Sequence, residues 1–312
     1  MGRVAWLFPG QGSQAVGMGM AFAAAEPFAK QVLDEADDAL GFPLSQVMAE
    51  GPEETLKLTE HTQPAILTHS IMVVRACGAR LPRPDFVAGH SLGEYSALVA
   101  AGSIAFGDAV RTVRERGRAM QSAVPVGVGA MAALLGMAPE LVEECCREGA
   151  ERTGRIVVPA NYNGPGQIVI AGHADAVDAA LEAAKARGGR KAMKLPVSAP
   201  FHSPLMEPAK THMEPVLGGL AIAAPICPLV NNVDAATVSD PAAIRDGLLR
   251  QIPGAVRWEA LMDALLQAGV TTFIELGPGK VLSGIAKRQA KERGLEFAAL
   301  AIGAPEDLAQ LG

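Results

Sequence analysis

Five consecutive residues, Gly89-His90-Ser91-Leu92-Gly93, constrain the fold of this chain more than any other stretch. They follow the short apolar run Phe86-Val87-Ala88, and Leu92, Tyr95, Leu98 and Val99 then repeat at helical spacing up to Gly102. A buried strand that turns so abruptly into a helix is a unit of a parallel α/β sheet. Glycine at both ends of the turn lets the backbone lift the Ser91 side chain at the sheet's C-terminal edge. The helix behind it aims N–H groups at any anion that forms there. Ser91 is the candidate nucleophile.

The rest of the chain divides by rhythm. Residues 4–8 read as a strand ending in Pro9-Gly10-Gln11-Gly12-Ser13-Gln14, where the crevice of an α/β sheet lies and where a second N–H could meet an oxyanion. Helical patterns cover residues 28–40 and 64–77. From Val124 the order changes to strand 130–135, helix 139–148, strands 156–160 and 167–171, helix 174–186 and strand 191–197. That β-α-β-β-α-β order is the split ferredoxin-like unit. We expect residues 124–198 to form a small domain inserted into a larger α/β domain made of 1–123 and 199–312. In the last part, strands are expected at 229–233 and 272–276, and helices at 255–267 and after Gly277-Pro278-Gly279.

Of the 312 residues, 49% are hydrophobic and 19% charged, the balance of a globular chain. Acidic residues outnumber basic ones, 33 to 27, giving a formal net charge of −6, and aromatics reach only 4%. Nucleic-acid binding, which needs basic grooves and stacking rings, is disfavoured. No apolar run is long enough to span a bilayer, and residues 1–6 lead into a strand, not a secretion signal. Cys77, Cys145, Cys146 and Cys227 lie at no metal-ligand spacing and read as free thiols of a reducing compartment. A cytoplasmic protein without a metal centre is expected. Gly127-Val128-Gly129-Ala130-Met131-Ala132 precedes an extended run instead of a helix, so it is no dinucleotide fingerprint.

A nucleophilic serine needs a base. The candidates are His61, His69, His90, His173, His202 and His212. His202, in the Pro-bracketed loop Ala199-Pro200-Phe201-His202-Ser203-Pro204, has an edge, because catalytic side chains favour loops held by a rigid scaffold. On a helix over Phe106–Ser122, Ala109, Val113 and Met120 share one face, and Arg116 falls inside that apolar arc. A buried arginine wants an anion, either a structural carboxylate or an anionic substrate.

Several segments occur together and in order: Phe8-Pro9-Gly10-Gln11-Gly12-Ser13-Gln14, Gly89-His90-Ser91-Leu92-Gly93-Glu94-Tyr95-Ser96, Arg116-Gly117 before Met120-Gln121, and Asn161 through Gly166-Gln167. They continue with Ala199-Pro200-Phe201-His202-Ser203, Asn231-Asn232-Val233-Asp234 and Gly277-Pro278-Gly279-Lys280-Val281-Leu282. In this combination the chain closely resembles the malonyl-CoA:acyl carrier protein transacylases of dissociated fatty-acid synthesis, over nearly its whole length. The resemblance implies an α/β-hydrolase-like large domain with a ferredoxin-like insert. It implies Ser91 as nucleophile, His202 as its base and acid, and backbone N–H groups of Gln11 and Leu92 as oxyanion hole. It makes Arg116 the clamp on malonate's free carboxylate, with Gln251 orienting His202 through its backbone carbonyl.

Gln251, Asn161, Met120 and Phe201 join Arg116 as expected substrate-site residues. Coenzyme A enters as the thioester substrate, no cofactor is required, and the partners are malonyl-CoA and holo acyl carrier protein, met by a monomer. Basic residues Lys185, Arg187, Arg190, Lys191 and Lys194, or Lys287, Arg288 and Lys291, are the expected docking surface for an acidic carrier. His202 is expected to titrate near the ordinary value of about 6.5. Three rivals share parts of this pattern: an acyltransferase serving a polyketide synthase in trans, a serine hydrolase, and a carrier-binding module without activity.

Overall fold

The computed structural model describes residues 2–189, 191–197 and 199–311. A six-stranded sheet is built from β1 (Arg3–Phe8), β2 (Phe86–Gly89), β7 (Leu229–Val230), β8 (Thr237–Val238), β9 (Val270–Leu276) and β10 (Ala298–Ile302). Its order is β10-β9-β1-β2-β7-β8, parallel except for the β7–β8 pair. The innermost strands are the most apolar, as burial on both faces demands: the last four residues of β1 and all of β2 are buried.

Between β1 and β2 run α1 (Met20–Ala25), α2 (Pro27–Leu40), α3 (Leu44–Glu50), α4 (Glu53–Leu56) and α5 (Thr59–Cys77). After β2 come α6 (Gly93–Ala100) and α7 (Phe106–Ser122). Helix α5 begins five residues before the expected 64, because its polar first turn packs on α7 and carries Pro64 within the helix.

The second sheet holds β3 (Gly129–Leu135), β4 (Val157–Gly164), β5 (Gln167–His173) and β6 (Lys191–Lys194) in the order β4-β5-β3-β6, antiparallel throughout. Helices α8 (Pro139–Thr153) and α9 (Ala174–Ala186) cover one face. The two-residue period of a strand sorts its side chains. Ala132, Leu134, Ile168 and Ile170 pack under α8 and α9, while Met131, Val169 and Ala171 turn the other way and join the large core. Register shifts between Pro159 and Asn161 and between Tyr162 and Gly164 bend β4. Strand β6 ends at Lys194, not at the expected 197: Pro196 has no N–H to donate, and Leu195, Pro196 and Val197 become cavity wall.

The remaining helices are α10 (Glu207–Gly219), α11 (Pro241–Gln251), α12 (Trp258–Gln267) and α13 (Val281–Arg293). The α/β class with a separate antiparallel unit therefore holds. Among the described residues no helix is long and apolar enough to cross a membrane.

Candidate active site

The sheet register assembles the site. Phe8 pairs with Gly89, so the loops leaving β1 and β2 run side by side, and His90 N–H donates to Phe8 O at 2.9 Å. A side chain at Gly93 would collide with the Phe8 carbonyl, and one at Gly89 with Gly93, so the turn closes only with both glycines. Ser91 at its apex takes φ 51, and His202 takes φ 57. Left-handed backbone costs a non-glycine residue about 1–3 kcal/mol and persists only where neighbours hold it. Here Asn232 grips the turn on both sides, donating from Nδ2 to Gly89 O and accepting the Ser91 N–H, each at 2.7 Å. Gln251 Nε2 donates to Ser91 O at 3.0 Å.

His202 Nε2 lies 2.7 Å from Ser91 Oγ. Its Nδ1 stands 2.9 Å from Gln251 O and 3.2 Å from Gly254 O. Carbonyls only accept, so Nδ1 carries the proton and Nε2 is open to the Ser91 hydroxyl. Burial, reinforced by the Arg116 cation, holds the His202 pKa down at about 3, far from the expected 6.5. The ring is neutral and ready to accept a proton.

Arg116 is 1% exposed. A Cβ at Gly117 would stand 2.6 Å from Thr59 O, so only glycine lets α7 lie this close to the start of α5, beside Gln63. Arg116 Nη1 donates to Gln63 Oε1 at 2.8 Å, and Nη2 donates to Gln251 Oε1 at 2.8 Å and Ser91 Oγ at 3.1 Å. Among the described residues no carboxylate touches the guanidinium.

A cavity of about 770 Å³ lies between the two sheets and is lined by Gln11, Ser91, Leu92, Arg116, Met120, Asn161, Phe201 and His202, all expected site residues. Gln63, His90, Asn163, Met131 and Val169 also line it. Gln251 is a correction. It is fully buried behind the wall, so it reaches a ligand only through Arg116 and His202 and is not itself a contact residue. The N–H groups of Gln11 and Leu92 have no hydrogen-bond partner among the described residues. A serine, a neutral imidazole, free N–H groups and a cation one hydrogen bond away suit acyl transfer to and from an anionic acyl group. Among the described residues no group of three or more His, Cys, Asp or Glu side chains is gathered as a metal would need.

The acyl transferase domain model matches residues 5–304. The chain belongs to the acyl transferase domain family. Curated relatives include the malonyl CoA-acyl carrier protein transacylase of Bacillus subtilis (strain 168), 49% identical over 92% of this chain and 90% of that one. The protein of the same name from Escherichia coli (strain K12) is 47% identical over 92% and 93%. Among solved structures, an acyl carrier protein S-malonyltransferase from Vibrio cholerae superposes with a TM-score of 0.95 at 42% identity, covering 99% and 100% of the chains. A malonyl-transacylase solved with its type II PKS acyl-carrier protein gives 0.94 at 42%, covering 99% and 98%.

In this acyl transferase-family chain, three site residues escaped sequence reasoning. Gln63 had no signal beyond its place before a helical proline. Glu94 and Asn232 stood inside quoted motifs without a role. Glu94 could have been noticed as the one charged residue of its helix. Of the basic residues expected to dock a carrier, Arg187 and Lys194 are tied to Glu148 and Asp178. Lys287 and Lys291 line a second cavity with Phe297, and Arg190 lies outside the described residues.

Proposed function

We propose that this protein moves the malonyl group from malonyl-CoA to the phosphopantetheine thiol of an acyl carrier protein, supplying fatty-acid chain elongation. One observation carries the substrate assignment: Arg116, buried and without a carboxylate partner among the described residues, sits 3.1 Å from the candidate nucleophile inside the cavity. A planar guanidinium meets a carboxylate with two parallel charge-assisted hydrogen bonds, and of common acyl groups malonyl brings one.

In the first half-reaction His202 Nε2 takes the Ser91 proton as Oγ attacks the thioester carbon. The tetrahedral oxyanion is held by the N–H groups of Gln11 and Leu92 and by the N-terminus of α6. Its collapse breaks the C–S bond, and His202 returns the proton to the departing coenzyme A sulfur. In the second half the carrier thiol gives its proton to His202, attacks the malonyl-Ser91 ester and leaves with the acyl group, while His202 reprotonates Ser91. A thioester is already activated, so two carbonyls behind His202 can replace a triad carboxylate. We assign the large domain to residues 1–123 and 199–312 and the small one to 124–198, with the reaction between them, in a cytoplasmic monomer that draws on no metal or redox cofactor.

Intact-mass measurement after mixing with malonyl-CoA tests this reading. The wild type should gain one malonyl group and lose it to holo carrier, and Ser91→Ala should gain none. An adduct on Ser91→Ala moves the nucleophile elsewhere. An adduct released to water as fast as to carrier makes the protein a hydrolase, and preference for a polyketide over a fatty-acid carrier reassigns the pathway.

A further inference from the structure

One buried carboxylate takes no part in the chemistry above. Glu94, on the first turn of α6, is 1% exposed. Its Oε2 accepts from Gln251 Nε2 at 2.8 Å and from the Asn232 N–H at 3.1 Å. An amide has two unlike ends. With Nε2 of Gln251 held between Glu94 and the Ser91 carbonyl, its Oε1 is left facing Arg116 Nη2 at 2.8 Å. Turned over, the amide would set donor against donor.

We propose that Glu94 is a positioning residue of the transfer reaction: through the side-chain amide of Gln251 it aims Arg116 into the acyl cavity. The inference rests on the reading that Arg116 holds the substrate's carboxylate. Oε2 accepts whether or not the other oxygen carries a proton, and burial pushes the carboxyl up to about 7. The acceptor, not the negative charge, is what Gln251 uses.

The test compares kcat/KM for malonyl-CoA and acetyl-CoA in the wild type, Glu94→Gln, Glu94→Met, Gln251→Met and the Met/Met double variant, with thermal melting alongside. Glu94→Gln keeps an oxygen in place and should hold the malonyl-to-acetyl ratio within about threefold of the wild type. Glu94→Met should lower that ratio at least about tenfold, chiefly through KM for malonyl-CoA. The double variant should have a ratio no lower than Gln251→Met alone, because both changes cut one route.

A residue that merely braced the fold would slow both substrates together and leave the ratio intact. An unchanged ratio in Glu94→Met, or additive losses in the double variant, overturns the inference. Should Glu94→Met not fold, Gln251→Met decides: a wild-type ratio there overturns it and a tenfold fall supports it. A wild type without preference for malonyl-CoA overturns the reading of Arg116, and the inference with it. A preference that survives Glu94→Met overturns the inference alone.

Discussion

Arg116 holds the amide oxygens of Gln63 and Gln251 on its two terminal nitrogens, while its buried Nε has no partner among the described residues. A neutral acyl group therefore strips it of little, whereas a carboxylate adds a charge-assisted pair. Removing one partner of a desolvated pair costs about 2–5 kcal/mol, so Arg116→Ala should lower kcat/KM for malonyl-CoA by roughly 30-fold to several thousandfold. Acetyl-CoA should change by less than about tenfold. Equal losses on both would make Arg116 a brace for the elbow. His202 gives the second expectation at this scale. Burial and the neighbouring cation depress its pKa to about 3, so the acid limb of kcat/KM should fall below about pH 5; a limb centred on 6.5 would show a solvated ring. Stability follows the same sign. The unfolded ring protonates near 6.5 and the native one near 3, so this contribution is complete above pH 6.5 and is lost as the pH falls toward 3. Ser91, His202 and Arg116 were legible because each breaks a local pattern: a serine on a glycine elbow, a histidine between prolines, a cation in an apolar arc. Gln63 and Asn232 break none, since a polar amide looks the same in a sequence whether it grips a backbone or faces water.

At the scale of elements, the close approach of α7 to α5 at Gly117 should be as indispensable as the residues it positions. A Cβ there meets the Thr59 carbonyl at 2.6 Å, and that carbonyl belongs to a helix backbone that cannot swing aside. Gly117→Val should cost about 1–3 kcal/mol of stability in denaturant unfolding and reduce malonyl transfer more than acetyl transfer, because it pulls Arg116 away from Gln63. Equal effects on both substrates would detach the helix contact from acyl selection. The central strands and α9 could be read from periodicity alone, since long apolar runs and Ala-rich faces leave few alternatives. The ends of elements could not. Residues 195–197 carry strand-like Leu and Val, but the pairing with β3 stops after the Leu195 N–H, which donates to Met131 O at 2.9 Å, because Pro196 has no N–H to offer. Asn161 and Asn163 looked like part of a loop, yet bulged pairing keeps them in β4 and turns them to the cavity. Long-range partners decide such boundaries, and a one-dimensional pattern does not record them.

For the whole molecule, the two sheets meet around the candidate nucleophile Ser91, and in the proposed reaction a macromolecular thiol must reach it without disturbing acylation. Lys191 is exposed on the edge strand β6, which leads into the cavity-lining residues 195–197. Lys191→Glu should raise KM for the carrier, more at low salt than at high, and leave acylation by malonyl-CoA alone unchanged. Loss in both half-reactions would make the lysine structural. The left-handed backbone at Ser91 also bears on how long the protein lasts. Glycine accepts φ 51 freely where alanine does not, so Ser91→Gly should melt higher than Ser91→Ala by the equivalent of about 1 kcal/mol. Persistence and turnover thus favour different residues at this position. A duplicate of this protein released from selection on catalysis would be expected to drift toward glycine there, becoming a sturdier shell around an unchanged cavity, able to hold malonyl-CoA and unable to pass it on.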